Sequence, residues 1–364
     1  MTNILAALEP IYTTNEINQN VVLYTGEIEI KTGINNQSLE IIASGKVIYK
    51  WFPSPKLQLE FASQSSSAPL LMVALYGEDP QPAFISLTNI EVFDAEITVN
   101  SLNLSSQLSI TGIISKSIVQ GNGQNLSYVL FHVTNFHNII GRPTATLEKN
   151  GRRYLIERIL FEAEGWKITL DQLETTSEIV QSLNAQGGFG ITHVGRLERS
   201  DGQIFTEKEA LVFLQTFTDF LSFARGFYLC LGLSIGYDKS GSKIWEHWQN
   251  SSGSSWKSIA SWCPKQEAKM LSDVFPGFVK WWQDWAASAK QSLYWYLQAS
   301  YDPLAEQAIV NVQIALEILT YVHFVELSDM SKTEYGKNKS IGNTRKLFST
   351  FSIPQTIPET GSLL

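Results

Sequence analysis

The stretch TEKEALVFLQTFTDFLSFARG, from Thr206 to Gly226, marks the point at which the pattern of the chain changes. Thr206 and Glu209 have the spacing of a capping box, in which each side chain hydrogen-bonds the other residue's backbone at the start of a helix. Apolar residues then recur every three or four positions, and Gly226 suits a left-handed C-terminal cap. The stretch therefore predicts an amphipathic helix with one broad buried face.

The residues before this helix, from Asn20 to about Glu198, form short β-branched runs broken by turn residues, and Ala68–Gly77 is one of these runs. Hairpin turns are indicated at three glycine-containing sites: Asn150-Gly151, Glu164-Gly165 and Ser200-Asp201-Gly202. The spacing of the runs predicts an antiparallel sandwich or barrel. We assign residues 1–200 to a β-sandwich-like domain.

The residues after the helix begin with two apolar runs, Phe227–Tyr237 and Lys243–Trp248, on either side of a turn at Asp238–Gly241. They predict an added hairpin, and we assign residues 201–255 to a connecting region. A Ser/Gly-rich segment follows, after which the period of the apolar positions changes from two to about 3.6. Residues 256–364 are therefore predicted to form a helical domain, which makes the fold class α+β.

The helical domain is predicted from its caps and its apolar spacing. In chain order we expect a helix at Glu267–Phe275 ended by Pro276-Gly277, a helix at Phe278–Gln298, a helix at Leu304–Leu327, a surface loop at Lys332–Gly342 and a short helix at Thr344–Phe351. The third helix, capped by Asp302-Pro303, is apolar almost all round, which predicts a central buried helix. Too few residues follow Ile357-Pro358-Glu359 to complete another helix, so we expect a bundle shortened from a longer protein.

The composition is that of a folded globular protein, with 44% hydrophobic and 17% charged residues. A chain of 364 residues is expected to form two domains. The net charge of −8 works against non-specific nucleic-acid binding. No basic region precedes the first apolar run, and the run Gly226–Tyr237 is too short to span a membrane. We therefore expect a cytoplasmic protein without a membrane partner.

Eight of the ten tryptophans lie between Trp245 and Trp295. Tryptophan combines a large apolar area with one N–H donor, so it suits either a half-wet seam between structural layers or a binding platform. The platform hypothesis makes the protein a carbohydrate- or peptide-binding module with exposed, coplanar indoles. We favour the seam, because the cluster straddles the change from strand to helix period.

Several short patterns resemble catalytic or binding motifs without their usual context. Gly232-Leu-Ser234-Ile-Gly236 has the spacing of a nucleophile elbow, but it lies in a strand pattern with no helix after it. Asp238, His247 and His323 are candidate triad partners for Ser234, which gives a second alternative, a serine hydrolase. The segment Gly236–Lys243 nearly spells a phosphate-binding loop, yet a hairpin turn is favoured.

The glycine, histidine and cysteine patterns also lack the spacing of known binding sites. Gly187, Gly188 and Gly190 lack the dinucleotide-binding spacing and indicate a loop before a strand. The five histidines never stand at metal-ligand spacing on one helix, and Cys230 and Cys263 are too few for a disulfide framework or a zinc site. We therefore assign no catalytic, cofactor-binding or metal-binding residue, and expect no cofactor.

Acidic and basic residues leave two further alternatives. The acids in or near the aromatic region are Glu246, Asp284 and Glu317, and a glycosidase would need two of them across a scissile bond. Glu317 lies inside the apolar helix, where a hydrogen bond to a neighbouring element is favoured over catalysis. Two basic groups could contact phosphates, although solvated loop charge is favoured: Lys149, Arg152, Arg153 and Arg158, and Lys332, Lys337, Lys339, Arg345 and Lys346.

Two segments carry a family resemblance: GYDKSGSKIWEHW at Gly236–Trp248, and the helix from Ala308 that ends in ALEIL at Leu319. Together with the layout of the chain, they resemble bacterial ApeA-like proteins, in which a β-rich N-terminal domain precedes a C-terminal helical domain of the HEPN superfamily. The resemblance implies a helical bundle that cleaves or binds RNA in abortive-infection defence against phage, with a phage-derived trigger, and dimerisation through that bundle.

The motif that carries nuclease activity in that superfamily, Arg-x4-6-His, is absent from this sequence. Its histidine acts as acid or base toward the ribose 2′-hydroxyl and its arginine stabilises the charge on the reacting phosphate. We therefore expect an incomplete HEPN-like protein without nuclease activity, whose full-length parent contacts RNA.

Overall fold

The computed structural model describes residues 5–34, 37–63, 68–76, 81–87, 90–103, 108–115, 117–140, 143–150, 152–259, 261–263, 267–301 and 304–356. The strands in these residues are β1 (Leu5–Ala6), β2 (Val21–Ile34), β3 (Gln37–Lys50), β4 (Lys56–Ser63), β5 (Ala83–Leu87), β6 (Ile90–Asn103), β7 (Leu108–Ile114), β8 (Ser117–Gly121), β9 (Tyr128–Thr134), β10 (Pro143–Lys149), β11 (Arg152–Ala163), β12 (Trp166–Gln172), β13 (Ile191–Arg199), β14 (Cys230–Tyr237) and β15 (Lys243–Gln249). The helices are α1 (Ala68–Tyr76), α2 (Thr176–Gln186), α3 (Glu207–Arg225), α4 (Ala268–Asp284), α5 (Ala286–Tyr301), α6 (Ala305–Tyr321), α7 (Lys332–Lys337) and α8 (Lys339–Thr350), and a π-helical turn, Val322–Glu326, extends α6.

Six strands close into an antiparallel barrel in the order β2-β3-β4-β7-β6-β5, with β5 paired to β2. Residues alternate between the inside and the outside of each strand, so in β4 the buried Leu57, Leu59 and Phe61 fill the barrel. Helix α1 packs against β2 and adds Leu71 to the same core. Closure leaves the barrel without free strand edges.

The other nine strands form one sheet in the order β1-β10-β11-β12-β13-β9-β14-β15-β8. The barrel packs against one face of this sheet, where Trp51 stacks on Phe189 at 5.8 Å between ring centroids. Helices α3, α4 and α5 cover the other face. There Phe275 of α4 is fully buried, and its ring lies 5.3 Å from that of Phe161 in the sheet and 5.6 Å from that of Phe217 in α3. Aromatic burial of this kind holds the helical layer on the sheet.

The predicted α+β class, with a β-rich N-terminal part and a helical C-terminal part, is confirmed. The predicted sandwich is instead a closed barrel beside a large sheet, because strand periodicity does not identify which strands pair. The predicted hairpin, β14 and β15, joins this same sheet beside β9, while the predicted domain boundaries stay predictions. Of the three turn signals, Glu164-Gly165 connects β11 to β12, and Ser200-Asp201-Gly202 leads from β13 to α3 rather than to a strand.

The helix at Thr206–Gly226 is confirmed in detail. Thr206 and Glu209 form both bonds of the capping box, and Gly226 ends the helix in the left-handed conformation. By contrast, Ala68–Tyr76, the described part of a run predicted as a strand, forms α1, because a short continuous apolar run suits either element.

Two predictions about the C-terminal helices are wrong. Helix α4 continues through Pro276 and ends at Asp284, since burial of Phe275 and Phe278 outweighs the hydrogen bond that proline removes. The segment Lys332–Gly342, predicted as a loop, forms α7 and the first turn of α8. The cap at Asp302-Pro303 and the start at Ile357-Pro358-Glu359 lie outside the described residues.

Helix α6 is not the buried central helix that its composition predicts. The segment Ala305–Glu326 is long and apolar enough to cross a membrane: an 18-residue window within it has a mean hydropathy of 1.6, but only 28% of that window is buried. Its inner face packs against α5 and α8. Its outer face remains exposed at several apolar residues, among them Ile309 and Val310. Hydropathy alone does not distinguish a core helix from an apolar surface helix.

Candidate functional site

A cleft of about 480 Å³ lies between α3 and β14, and the segment after β15 closes its far side. Its floor is apolar and is lined by buried leucines: Leu214, Leu229 and Leu231. Its walls are polar and consist of Gln215, Thr218, Asp219 and Ser222 on α3 and of Gln249, Asn250, Ser251 and Ser252 opposite. A concave site with an apolar floor and a few convergent polar groups is the usual form of a small-molecule site.

The helical period places the wall formed by α3. Phe213, Phe217 and Phe220 are buried on one face of α3. Gln215, Asp219 and Ser222, again three or four residues apart, lie on the opposite side of the helix and line the cleft. Packing of the phenylalanines fixes the rotation of α3 and thereby keeps this polar stripe on the cleft side.

Strand β14 borders the cleft through a β-bulge. Its pairing register with β9 shifts between Gly232 and Ile235, so that two residues, Leu233 and Ser234, stand where regular pairing has one. Leu233 has a φ of 51°, a conformation that costs a non-glycine residue about 1–3 kcal/mol. Its side chain packs in the core on the barrel face, whereas Ser234 lines the cleft. The bulge thus determines which residue of β14 faces the ligand space.

His132 holds the bulge in place. Its Nδ1 donates to the carbonyl of Leu233 at 3.0 Å, and its Nε2 accepts from the backbone N–H of Tyr12 at 3.1 Å. Burial lowers the pKa of His132 to about 4, so the ring is neutral at pH 7 and has one donor and one acceptor nitrogen, as these two bonds require. His132 therefore serves the structure of the site rather than its chemistry.

Asp219 supplies the negative charge of the cleft. Burial raises its pKa to about 6, although the amide of Gln215, 3.3 Å from its Oδ1, and the charge of Lys290 on α5 act in the opposite direction. No basic residue within the described ranges forms an ion pair with it. A carboxylate that is partly desolvated and forms no ion pair favours the arrival of a cation.

Other polar groups in the cleft are free to bind. The side chains of Tyr228, Ser234 and Gln249 form no hydrogen bond with any residue that the structure describes, and all three line the cleft. Asn250, in contrast, already has a hydrogen-bond partner, since its side-chain oxygen accepts from the backbone N–H of Leu57 at 2.8 Å. The cleft therefore presents one carboxylate, two hydroxyls and an amide to a ligand.

The predicted hydrolase residues do not assemble into a triad. Ser234 and His247 are directly opposite on β14 and β15, but no hydrogen bond joins their side chains. The Nδ1 of His247, which a triad acid would engage, is buried and has no partner among the described residues. Asp238 accepts hydrogen bonds within its own turn, and His323 packs against Phe351. The geometry thus provides a lone serine without an activated base.

The glycine-containing motifs are structural. The segment Gly236–Lys243 forms the turn between β14 and β15, as favoured, and Asp238 accepts from two backbone N–H groups of that turn. Gly187, Gly188 and Gly190 form the loop between α2 and β13. Neither segment precedes a helix that could present its N–H groups to a phosphate.

Each candidate acid has its own structural partner. Glu246 is buried and accepts from Tyr12 and Lys243. Asp284 pairs with a lysine one turn earlier in α4, and Glu317 accepts from a glutamine amide one turn earlier in α6. The acids therefore belong to three separate elements and do not form a catalytic pair.

The first basic group is also structural where its side chains are described. Arg158 lies opposite Asp171 in the sheet, and its guanidinium binds both carboxylate oxygens, at 2.6 and 2.7 Å. Lys149 pairs with Glu174 at 2.9 Å. The side chains of Arg152 and Arg153 lie outside the described residues. The second group, on α7 and α8, is exposed.

The eight clustered tryptophans are divided among packed regions of the structure. Trp248 lies in the core on the barrel face, and Trp245, Trp256 and Trp282 lie in the core on the helical face. The other four are half-buried. None presents the exposed, coplanar face that a sugar platform needs, so the cluster forms seams between layers.

The described histidines and cysteines do not form a metal site. No group of three or more His, Cys, Asp or Glu side chains that could hold a metal ion exists within the described residues. Both cysteines are buried, and neither forms a disulfide bond within the described residues. His193, like His132, is buried, and burial lowers its pKa to about 3.

Four polar residues that line the cleft belong to no motif in the sequence: Asp219, Gln215, Tyr228 and Gln249. The available signal was the polar stripe in α3, where Gln215 and Asp219 interrupt an apolar helix four residues apart. That spacing predicts a shared face but does not reveal that the face borders a cleft.

Two family models match this chain. The model of the YopA central domain matches residues 121–259, which include every residue lining the cleft, and that of the YopA C-terminal domain matches residues 282–363. The SPbeta prophage-derived uncharacterized protein YopA of Bacillus subtilis (strain 168) is 28% identical over 361 residues, covering 97% of this chain and 80% of that protein. No solved structure matches.

These matches support a similarity to YopA and give no evidence for an ApeA-like or HEPN assignment, which stays a prediction. Both family models and the whole-length similarity identify the same group of proteins. The chain is therefore similar to YopA over most of its length: the residues that line the cleft lie in the stretch similar to the YopA central domain, and helices α5–α8 lie in the stretch similar to the YopA C-terminal domain.

Proposed function

We propose that this protein binds, without transforming it, a small polar molecule that carries an amine or guanidinium group, in the cleft between α3 and β14. The related YopA protein is named as prophage-derived, and we propose the same origin for this chain. The observation that carries the proposal is the Asp219 carboxylate, which lines the cleft and has no basic nitrogen of a described residue within the 4.0 Å of an ion pair.

The size and lining of the cleft support a ligand of this kind. Small-molecule sites usually enclose about 300–1,000 Å³, and this cleft falls within that range. The leucine floor would contact the carbon skeleton, while Tyr228, Ser234 and Gln249 would bind polar substituents. A ligand cation beside Asp219 would form a charge-assisted hydrogen bond, and the phenol ring of Tyr228 adds an aromatic surface.

Binding without chemistry is supported by the state of the polar groups. Ser234 has no activated base, since His247 lacks an orienting acid, and burial keeps His132 and His193 neutral at pH 7. Asp219 would therefore act as an anchor and not as a general base. A protein that binds such a ligand without changing it could act as a sensor, in which the bound ligand regulates an activity elsewhere in the protein or in a partner.

Isothermal titration calorimetry with putrescine, agmatine and spermidine tests the proposal, with 1,4-butanediol as a neutral control for putrescine. We expect saturable binding of at least one cationic probe and none of the diol. Asp219→Asn should weaken that binding by about tenfold or more, because it removes a charge-assisted bond worth about 1.5–3 kcal/mol. The matched control Asp273→Asn changes an exposed acid on α4 and should leave the affinity unchanged.

Two results would count against the proposal. Equal binding of the diol and the diamine would remove the role of the cation, and binding unaffected by Asp219→Asn would place the ligand elsewhere. The RNA-related defence function that the resemblance implied stays a prediction, since neither family match bears on it.

A further inference from the structure

The outer face of helix α6 leaves an apolar surface uncovered. Four β-branched side chains are exposed there, by 42% to 67%: Ile309, Val310, Val312 and Ile341. Gln313 of α6 donates to Ser340 of α8 at 3.4 Å, which brings Ile341 beside the α6 residues. We refer to the four side chains as the apolar face.

The helix that carries this face is as apolar as a core helix, although most of its residues are not buried. An 18-residue window of Ala305–Glu326 has a mean hydropathy of 1.6 while only 28% of that window is buried, whereas a core helix of similar hydropathy is buried on most sides. Exposed apolar patches of this kind usually mark an interaction surface. Glu306, Asn311 and Gln313 interrupt the segment, so it suits a position along a membrane surface better than one across the membrane.

Positive charge lies next to the apolar face. Helices α7 and α8 carry five exposed basic side chains and one acidic side chain, Glu334: Lys332, Lys337, Lys339, Arg345 and Lys346. None of the five pairs with an acid that the structure describes. The chain as a whole has a net charge of −8, so this corner has the opposite sign to the rest of the molecule. Such local reversal favours an anionic partner.

We propose that the apolar face and the basic residues of α7 and α8 dock this protein on the surface of an anionic lipid bilayer. The β-branched side chains enter the boundary between headgroups and acyl chains, and the lysines and arginine contact lipid phosphates. This departs from the expectation that the chain has no membrane partner. The proposal is independent of the cleft, because it uses other elements.

Two other occupants fit the surface less well. In a second copy joined about a two-fold axis, the same basic helices would meet each other, and like charges directly opposed are unfavourable. RNA would match the basic residues, but phosphates and sugars leave Ile309 and Ile341 in contact with polar groups. A lipid bilayer satisfies both the charge and the apolar area.

Vesicle co-sedimentation of the full chain tests the proposal. We compare vesicles of phosphatidylcholine alone with vesicles of equal parts phosphatidylcholine and phosphatidylglycerol, at low salt and at about 150 mM salt. The protein should bind the anionic vesicles, bind them more weakly as salt increases, and remain in solution with phosphatidylcholine alone.

Matched variants separate the apolar and the electrostatic contributions. Ile309→Ser and the double change Lys337→Glu with Lys339→Glu should each weaken binding by about tenfold or more. The controls are Ile42→Ser, which changes a side chain 59% exposed on the barrel, and Lys239→Glu, which changes an exposed lysine in the β14–β15 turn. Both controls should bind like the parent protein. Circular dichroism checks that every variant is folded, as expected for exposed positions.

Three results would overturn the proposal. The first is the absence of binding to anionic vesicles at low salt. The second is binding that the apolar and charge variants leave unchanged. The third is a concentration-dependent dimer, detected by light scattering, that Ile309→Ser abolishes, since this would assign the apolar face to a second copy.

Discussion

Replacing Asp219 with asparagine is expected to stabilise the ligand-free protein at neutral pH, although it removes the group that we propose holds the ligand. Burial in the cleft wall raises the pKa of Asp219 to about 6 from its ordinary value of 3.8. The folded protein therefore holds the carboxyl proton more tightly than the unfolded chain does. Holding the ionised form in the cleft costs folding free energy, which a neutral, isosteric side chain does not.

The size of this cost follows from the pKa. One pKa unit corresponds to about 1.4 kcal/mol, so the ionised carboxylate costs the folded protein about 3 kcal/mol. The cost is absent below pH 4, where both states are protonated, increases between about pH 4 and pH 6, and is complete above that range. The asparagine side chain in Asp219→Asn would keep an oxygen that accepts from Gln215, so we expect a gain of about 2–3 kcal/mol at pH 7.5 and little change at pH 4.

Urea unfolding followed by circular dichroism at the two pH values measures this difference. Asp273→Asn, at an exposed position on α4, is the control and should change the free energy of unfolding by less than about 0.5 kcal/mol. If Asp219→Asn destabilises the protein at both pH values, the carboxylate is part of a stabilising network, and the reasoning from an unpaired acid is wrong. If Asp219→Asn both stabilises the ligand-free protein and abolishes ligand binding, then the carboxylate lowers the stability of the fold while it supports binding.

Two further predictions concern the scaffold. Arg158→Met leaves the buried carboxylate of Asp171 without its guanidinium, so we expect the free energy of unfolding to fall by about 3–5 kcal/mol. The double variant Arg158→Met with Asp171→Leu removes both charges and should lose less than half of that amount. Equal losses in the two variants would contradict the role of the ion pair. Because burial lowers the pKa values of His132 and His193 to about 4 and about 3, their contribution to stability is complete above pH 6.5 and is lost as the pH falls, by about 2 kcal/mol for each ring at pH 5. His193→Gln should therefore flatten the dependence of stability on pH between 7 and 5, and an unchanged slope in urea unfolding would exclude His193 as its source.

The elements that the sequence predicted well are those whose signals are local. Helix α3 carries its capping box, its apolar period and its terminal Gly226 within one continuous stretch, and all three occur in the structure. The hairpin of β14 and β15 is local in the same sense, because its turn at Asp238–Gly241 lies between two short apolar runs. Such features depend on backbone preferences that neighbouring residues fix.

The candidate site depends on contacts that are distant in sequence. Asp219 and Gln249 line one cleft only because α3 packs on the sheet that contains β15. The bulge at Leu233 needs His132 from β9 and the backbone of Tyr12, more than 100 residues away. The periodicity of a sequence does not indicate such long-range pairings. The sequence therefore suggested a catalytic role for Ser234 from its local motif but could not show that Ser234 lines a cleft.

By itself, the sequence determined the α+β class, the change from strand to helix period after the Ser/Gly-rich segment, and the placing of the tryptophan cluster in seams, where half of its members are buried, because composition, period and caps act through near neighbours. Only the tertiary structure decided that the strands form a closed barrel and a nine-stranded sheet, that α6 is exposed rather than central, and that Asp219 lies in a cleft. The physical reason is that strand pairing and burial are set by the free energy of the whole packed chain, in which residues far apart in sequence share one core.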